Sequence, residues 1–180
     1  MYTIAAAKYS FLSTAPLQKY LVRSIFFLLF TSLFCNFVSF LRPMKQTKLH
    51  TAGLVVLKGR KLLLAFSKNK KAWYLPGGKV DTGETSEEAI LREIAEELDL
   101  FLDPKLVKFY CHITAQAYGE HQNITMEQDC YMYELTENVS ANSEIEEIGY
   151  FDLETYRQEP AQVPGVLLLF EKLRQDGLTA

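Results

Sequence analysis

GGKVDTGETSEEAILREIAEELDL, Gly77 to Leu100, runs from a glycine-bearing loop straight into a short helix crowded with carboxylates. Thr85 followed three residues later by Glu88 is a capping-box pattern, in which the threonine hydroxyl accepts from the backbone N–H of Glu88 and the glutamate reaches back to the N–H of the cap. The pattern predicts a helix that starts near Ser86. Ala89, Ile90, Ile94 and Leu98 then recur at helical period and set an apolar stripe against a core, so the helix is expected to end at Leu98 or Asp99.

Another face of the same helix carries Glu93, Glu96 and Glu97 at i, i+3 and i+4, where Cβ atoms are neighbours about 5–6 Å apart. Taken alone, a glutamate-rich helix is usually a solvated surface. Here no lysine at i+4 dilutes the charge, and the nearest cation is Arg92, one residue before the cluster. Clustered carboxylate oxygens suit a hard divalent cation, with waters and substrate phosphate completing its shell.

The spacing adds to this. Gly78, five residues, Glu84, seven residues, Arg92-Glu93-Ile94, one residue, Glu96-Glu97, one residue, Asp99 and Leu100 together resemble the Nudix box, G-x5-E-x7-R-E-U-x-E-E-x-G-U, where U is a bulky aliphatic residue. Every defined position agrees except the second glycine, which is Asp99 here. That position closes the helix, where glycine ordinarily supplies a left-handed cap, and aspartate tolerates this conformation better than most residues. A small cost to the turn is expected.

The resemblance implies an α/β fold, a Nudix-like α/β/α sandwich with a mixed β-sheet. It also implies Mg2+-dependent hydrolysis of a diphosphate linkage in a small nucleoside diphosphate derivative, with Mn2+ as an alternative metal. By the same resemblance Glu96 and Glu97 match metal ligands, Glu93 a ligand or the base, and Glu84 a supporting carboxylate. Arg92 matches a residue that orients the glutamates by ion pairing, and the backbone carbonyl of Gly78 faces the metal. Some relatives recruit a carboxylate from outside the box, for which Glu120, Glu127, Glu144 and Glu146 are the candidates. The competing reading is a domain that keeps this fold and senses a nucleotide without cleaving it; the intact carboxylate set weighs against it. Homodimers are common among relatives, so self-association is a further expectation.

Composition bounds the rest. The chain has 180 residues, 48% hydrophobic and 23% charged, enough for one domain and an appendage, and its net charge of −3 offers no basic field for a nucleic-acid polymer. Cys35, Cys111 and Cys130 are scattered without C-x-x-C spacing, so they make neither a disulfide framework nor a zinc site and suit a reducing, cytoplasmic compartment.

Residues 24–41, SIFFLLFTSLFCNFVSFL, carry no charge over eighteen positions, just long enough to span a bilayer. Arg23 and Arg42 flank them, which leaves the orientation weakly set, leaning to a C-terminal domain in the cytoplasm. Met44 opens an ordinary domain start, so residues 1–43 are expected to be a membrane anchor or a mis-assigned extension, and residues 44–180 the Nudix-like domain. A third reading, a tethered structural protein built on residues 24–41, is disfavoured by the near-complete box.

In chain order, Thr51 to Leu57 and Lys61 to Ser67 are expected strands joined through Lys58-Gly59-Arg60, and their nearly continuous apolar residues predict cover on both faces. Residues 72–76 form a short strand leading into Gly77-Gly78; Trp73 and Tyr74 are aromatic rings that can stack on a base, and one or both are expected to pack the core instead. Leu106 to Gln116 and Ile124 to Leu135 are strands, the second placing Cys130 and Met132 on one face and Tyr131 and Tyr133 on the other. A strand is expected within 143–151, and Pro164 to Gln175 reads as a closing helix with Val166, Phe170 and Leu173 on one stripe. His112 is expected to be structural and His121 exposed in a polar loop. Substrate choice is expected to lie in 67–74 and 116–124, and nothing there translates into a particular base or sugar.

Overall fold

Apolar residues crowd both faces of the strands nearest Gly77-Gly78, and the architecture follows from covering both. The computed structural model describes residues 46–120, 123–136, 139–142 and 144–179. The uncharged stretch 24–41 and His121 lie outside the described residues. Among the described residues no helix is long and apolar enough to cross a membrane.

The elements are β1 (Thr47–Val55), β2 (Leu57–Lys58), β3 (Lys61–Ser67), β4 (Ala72–Tyr74), α1 (Ser86–Leu98), β5 (Lys108–Gln116), β6 (Ile124–Met132), β7 (Ile145–Phe151), α2 (Leu153–Tyr156) and α3 (Pro164–Gln175). A mixed sheet has the order β1-β6-β5, with β1 parallel to β6 and β5 antiparallel to it. Beside it β3 pairs with β2 and β4 along one edge and with β7 along the other, all antiparallel. The hairpin between β2 and β3 turns on two residues, Gly59 and Arg60, both at positive φ (57° and 65°), the mirror-image turn that matches strand twist.

β4, β5 and β6 are each two or three residues shorter than the strands expected over 72–76, 106–116 and 124–135, and larger differences lie at β1 and α2. β1 starts four residues before Thr51, because parallel backbone pairing runs from Thr47↔Ile124 onward irrespective of the exposed Lys48 and His50 side chains. It leaves the mixed sheet after Val55, and the Val56 carbonyl then accepts from Leu63 N at 2.9 Å, which transfers the chain to β3. The short helix α2 was not expected; the Asp152 side chain caps it by accepting from Thr155 N.

Side chains alternate between two cores. Ala52, Leu54, Val56, Leu63 and Tyr131 pack with Ala89, Ile90, Ile94 and Leu98 of α1. Val55, Leu62, Leu64, Cys111, Ile113 and Cys130 face the other way and pack with Val166, Leu169, Phe170 and Leu173 of α3. Helices therefore cover opposite faces of the strands, which explains runs such as Leu62-Leu63-Leu64, all fully buried. Cys130 and Tyr131 fall in different cores, as the strand alternation requires.

Trp73 is buried between Phe66 and Phe151, with ring centroids 5.3 and 4.7 Å away. Tyr156, fully buried, accepts from Val163 N at 2.8 Å through its hydroxyl and donates to the Trp73 carbonyl at 3.3 Å. It thereby ties the entry of α3 to β4.

Candidate active site

The site is assembled where the glycine loop is stitched along the free side of β1. Leu54 N donates to Pro76 O at 2.8 Å, Ala52 N to Gly78 O at 2.9 Å, and Val80 N to His50 O at 3.0 Å. These bonds hold the loop against the start of β1's buried half, directly beside α1. Gly77 has φ of +127°, and a side chain there would meet the Ala52 carbonyl oxygen at 2.3 Å, so both conformation and space require glycine. At Gly78 the constraint is space alone: a Cβ would lie 2.3–2.5 Å from the Glu93 carboxyl atoms.

α1 begins as its sequence dictates. Thr85 accepts from Glu88 N at 3.2 Å and Glu88 accepts from Thr85 N at 2.9 Å, closing both halves of the capping box. The helix ends at Asp99 in the left-handed conformation (φ 50°, ψ 38°), so aspartate does adopt the cap that glycine would.

Arg92 is the hub of the carboxylates. Its Nε and Nη2 donate to the two oxygens of Glu84, both at 2.9 Å, its Nη1 donates to Glu93 at 2.9 Å, and Nη2 also reaches the Lys79 carbonyl at 3.0 Å. Glu96 stands 3.8 Å from Nη1 and is largely exposed. The guanidinium fork, helped by Asp81 N–H, holds the Glu84 carboxyl down to about 2, and those partners raise Arg92 in turn, Glu84 foremost.

Glu97 is held differently. Its Oε2 accepts from Gly77 N at 2.8 Å. Burial pushes its carboxyl up to about 7 against that hydrogen bond, with the charges of Glu93, Glu144 and Glu96 adding to the rise. The backbone of the same residue receives Asn142 N at 2.9 Å, so the loop before β7 is fastened to the last turn of α1.

These groups open onto a cleft of about 860 Å³ that Gly77, Gly78, Glu93, Glu96 and Glu97 line together. Two segments expected to carry substrate choice form its opposite wall. The Tyr74 and Tyr118 rings meet edge to face at 6.0 Å. Lys70 sits 5.4 Å over the Tyr74 ring, 3.4 Å from the Tyr118 carbonyl and 3.6 Å from Glu120. The Tyr74 hydroxyl and Thr51 Oγ1, on residues that also line the cleft, are buried without a hydrogen-bond partner among the described residues.

The four outside carboxylates separate clearly. Glu144 lines the cleft, where its charge reaches Glu97, and accepts from Asn69 at 3.0 Å; Glu120 lines the cleft beside Lys70. Glu146 points outward to Lys71 at 3.2 Å. Glu127 belongs to a separate 460 Å³ pocket with His50, His112 and Asp129. There His112 stands between Asp129 and Glu127, 2.7 Å from each, and Asp129 also accepts from Ser86, the first residue of α1. The sequence reading of His112 as a strand residue missed this anchoring network; its signal is the alternation Glu127, Asp129, Tyr131 on the α1 side of β6.

A family model for the NUDIX domain matches residues 47–169. A Bacillus subtilis (strain 168) protein, provisionally named an 8-oxo-dGTP diphosphatase, is 44% identical over 52 residues, 27% of this chain; the chain spans about a third, 35%, of that relative's length. Among solved structures, a MutT protein from Methanosarcina mazei Go1 superposes with a TM-score of 0.61 at 17% identity, covering 75% of this chain and 99% of its own. A bifunctional NMN adenylyltransferase/ADP ribose pyrophosphatase from Francisella tularensis, complexed with AMP and a Mn ion, superposes with a TM-score of 0.55 at 16% identity, covering 89% of this chain and 49% of its own. The loop, the capped helix and the matched span lead to one assignment: this chain belongs to the NUDIX domain family.

Proposed function

We propose that the chain is a divalent-metal-dependent pyrophosphohydrolase that cleaves the diphosphate of a small nucleotide. The observation that carries the reading is the carboxylate triad of α1, Glu93, Glu96 and Glu97, opening with Gly78 onto one cleft wide enough for a nucleotide. The donor set is all oxygen, and Glu97 is a largely buried carboxyl with no cation at hydrogen-bond distance among the described residues, so these residues fit a hard ion such as Mg2+ or Mn2+. Glu96 and Glu97 are the first ligands in this reading, with Glu93 as ligand or base. The Gly78 carbonyl keeps one lone pair beside its bond from Ala52 N. Bound there, the metal supplies charge neutralisation for the phosphates and a more acidic water.

The protein's own groups do the positioning. Gly77 N–H fixes one oxygen of Glu97, and Arg92 fixes Glu93 while anchored to Glu84. Glu144, the outside carboxylate nearest in charge to Glu97, is the candidate auxiliary base, and Tyr74, Tyr118 and Lys70 line the wall that meets the nucleotide. The AMP and Mn ion held by the Francisella tularensis protein, and the name of the Bacillus subtilis relative, support a nucleotide substrate and a divalent metal. We place the working domain at 44–180 and, from its free thiols, in the cytoplasm.

The test incubates the protein with Mg2+ or Mn2+ against nucleoside triphosphates, nucleotide sugars, ADP-ribose and dinucleoside polyphosphates, with products read by mass spectrometry. Cleavage at a diphosphate, lost in Glu97→Gln, is the expected result. Metal and nucleotide binding with no cleavage across the panel would move the assignment to a sensor.

A further inference from the structure

In the sequence Cys111 and Cys130 stand apart, with no spacing that pairs them. The fold makes them direct partners across β5 and β6 in antiparallel register, beside the irregularity that interrupts the pairing between Phe109 and Cys111. Both are free thiols and both point into the core beneath α3, and each thiol shifts the other's titration, so the two side chains are neighbours. Residues directly opposed in an antiparallel pair have Cα atoms about 4.5–5.5 Å apart. A disulfide needs roughly 4.4–6.8 Å, so the backbone is already in range.

We propose that Cys111 and Cys130 form a peroxide-reactive thiol pair that closes reversibly into a cross-strand disulfide. The two positions are not equivalent. Cys130 is fully buried, whereas Cys111 keeps 9% of its surface. Cys111 is also the more acidic thiol: the neighbouring Cys130 thiol lowers it foremost, and the cations Lys172 and His112 favour its thiolate, against burial and Asp176. Cys130 is pushed up by the same contact and by its burial. Cys111 is therefore the attacking sulfur and Cys130 the resolving one.

The chemistry closes without a cofactor. The Cys111 thiolate attacks one oxygen of hydrogen peroxide, the O–O bond breaks, and hydroxide leaves, giving a sulfenic acid. Cys130 then attacks that sulfur, its proton leaving with the displaced hydroxyl as water. In sum two thiols and one peroxide give one disulfide and two waters. The product staples β5 to β6 under α3, in the core on the face opposite to α1.

The test treats the full folded chain with hydrogen peroxide, blocks remaining thiols with iodoacetamide, and maps peptides without reduction. The expected result is a linked pair of peptides containing Cys111 and Cys130, an intact mass lower by about 2 Da, and full return to alkylatable thiols after dithiothreitol. In Cys130→Ser, dimedone should trap the sulfenic acid at Cys111; in Cys111→Ser, Cys130 should stay alkylatable after unfolding. Two free thiols surviving peroxide in the wild type would overturn the proposal, as would linkage to Cys35 or between chains in place of the pair. The wild-type mapping needs no variant to fold, and neither result depends on hydrolase activity.

Discussion

Replacing Gly78 with alanine isolates what the close approach of loop and helix does. The residue is not at positive φ, so alanine adds no backbone strain. The new methyl would lie 2.4 Å from Glu93 Oε1, where ordinary contact begins at 3.4 Å. The loop is tied to β1 on both sides by the Ala52–Gly78 and Val80–His50 bonds, so Glu93 must yield, by about 1 Å. A misplacement of that size costs on the order of 100-fold in turnover, or about 2.7 kcal/mol of transition-state stabilisation. Stability should fall by about 1 kcal/mol, as the partly buried Arg92–Glu93 pair loosens. Steady-state kinetics with Mg2+ on the substrate found by the panel, alongside thermal melting, measures both. Gly59→Ala, whose Cβ would meet nothing within 4 Å, is the control and should keep full turnover. A folded Gly78→Ala enzyme within about threefold of wild-type kcat would refute the reasoning, because Glu93 would then not need its observed position.

Arg92→Lys keeps a charge but loses the fork that spans both Glu84 oxygens and Glu93; kcat should drop about tenfold with KM little changed, and an unchanged kcat would remove Arg92 from the positioning role. Burial holds the Glu97 carboxyl up at about 7, above the usual carboxylate range. A raised carboxyl means that the native state holds the proton longer, so apo stability should fall as pH rises from about 4.5 to about 7, by on the order of 3 kcal/mol. Mg2+ must displace that proton, so its apparent affinity should climb up to about pH 7 and then level off; calorimetric titrations giving one affinity at pH 6 and pH 8 would contradict this. Tyr156→Phe strips the Val163 N–H of its partner inside the core and should cost about 1–3 kcal/mol in urea unfolding, with kcat preserved.

Local rules carried the helix, and pairing at a distance carried what was missed. Thr85 and Glu88 lie three residues apart, and Asp99 chooses its own conformation, so both ends of α1 were legible from the chain. The two-sided burial of Leu62-Leu63-Leu64 could be read from composition alone. The start of β1 could not, since Thr47 to His50 are strand residues by virtue of backbone bonds to β6 rather than of their own side chains. The choice among Glu120, Glu127, Glu144 and Glu146 was equally closed: Glu144 and Glu146 share a strand end, and its geometry sends one into the cleft and the other to Lys71. The thiol pair depends on a register that no spacing of 19 residues (130 − 111) announces.

The parallel bond between β1 and β6 also sets a timetable. Each residue of β1 waits for a partner 77 positions later, Thr47 for Ile124 and Val55 for Met132. At synthesis rates of roughly 5–20 residues per second, that interval lasts about 4–15 s. During it the strand that backs both the glycine loop and α1 has an unclaimed edge, although the capped helix can already form. The nascent chain is thus most open to chaperones, and to pairing with its neighbours on a polysome, between the emergence of Val55 and that of Met132. A slow codon or an inserted loop in 100–123 would lengthen that exposure without altering a single contact of the finished molecule.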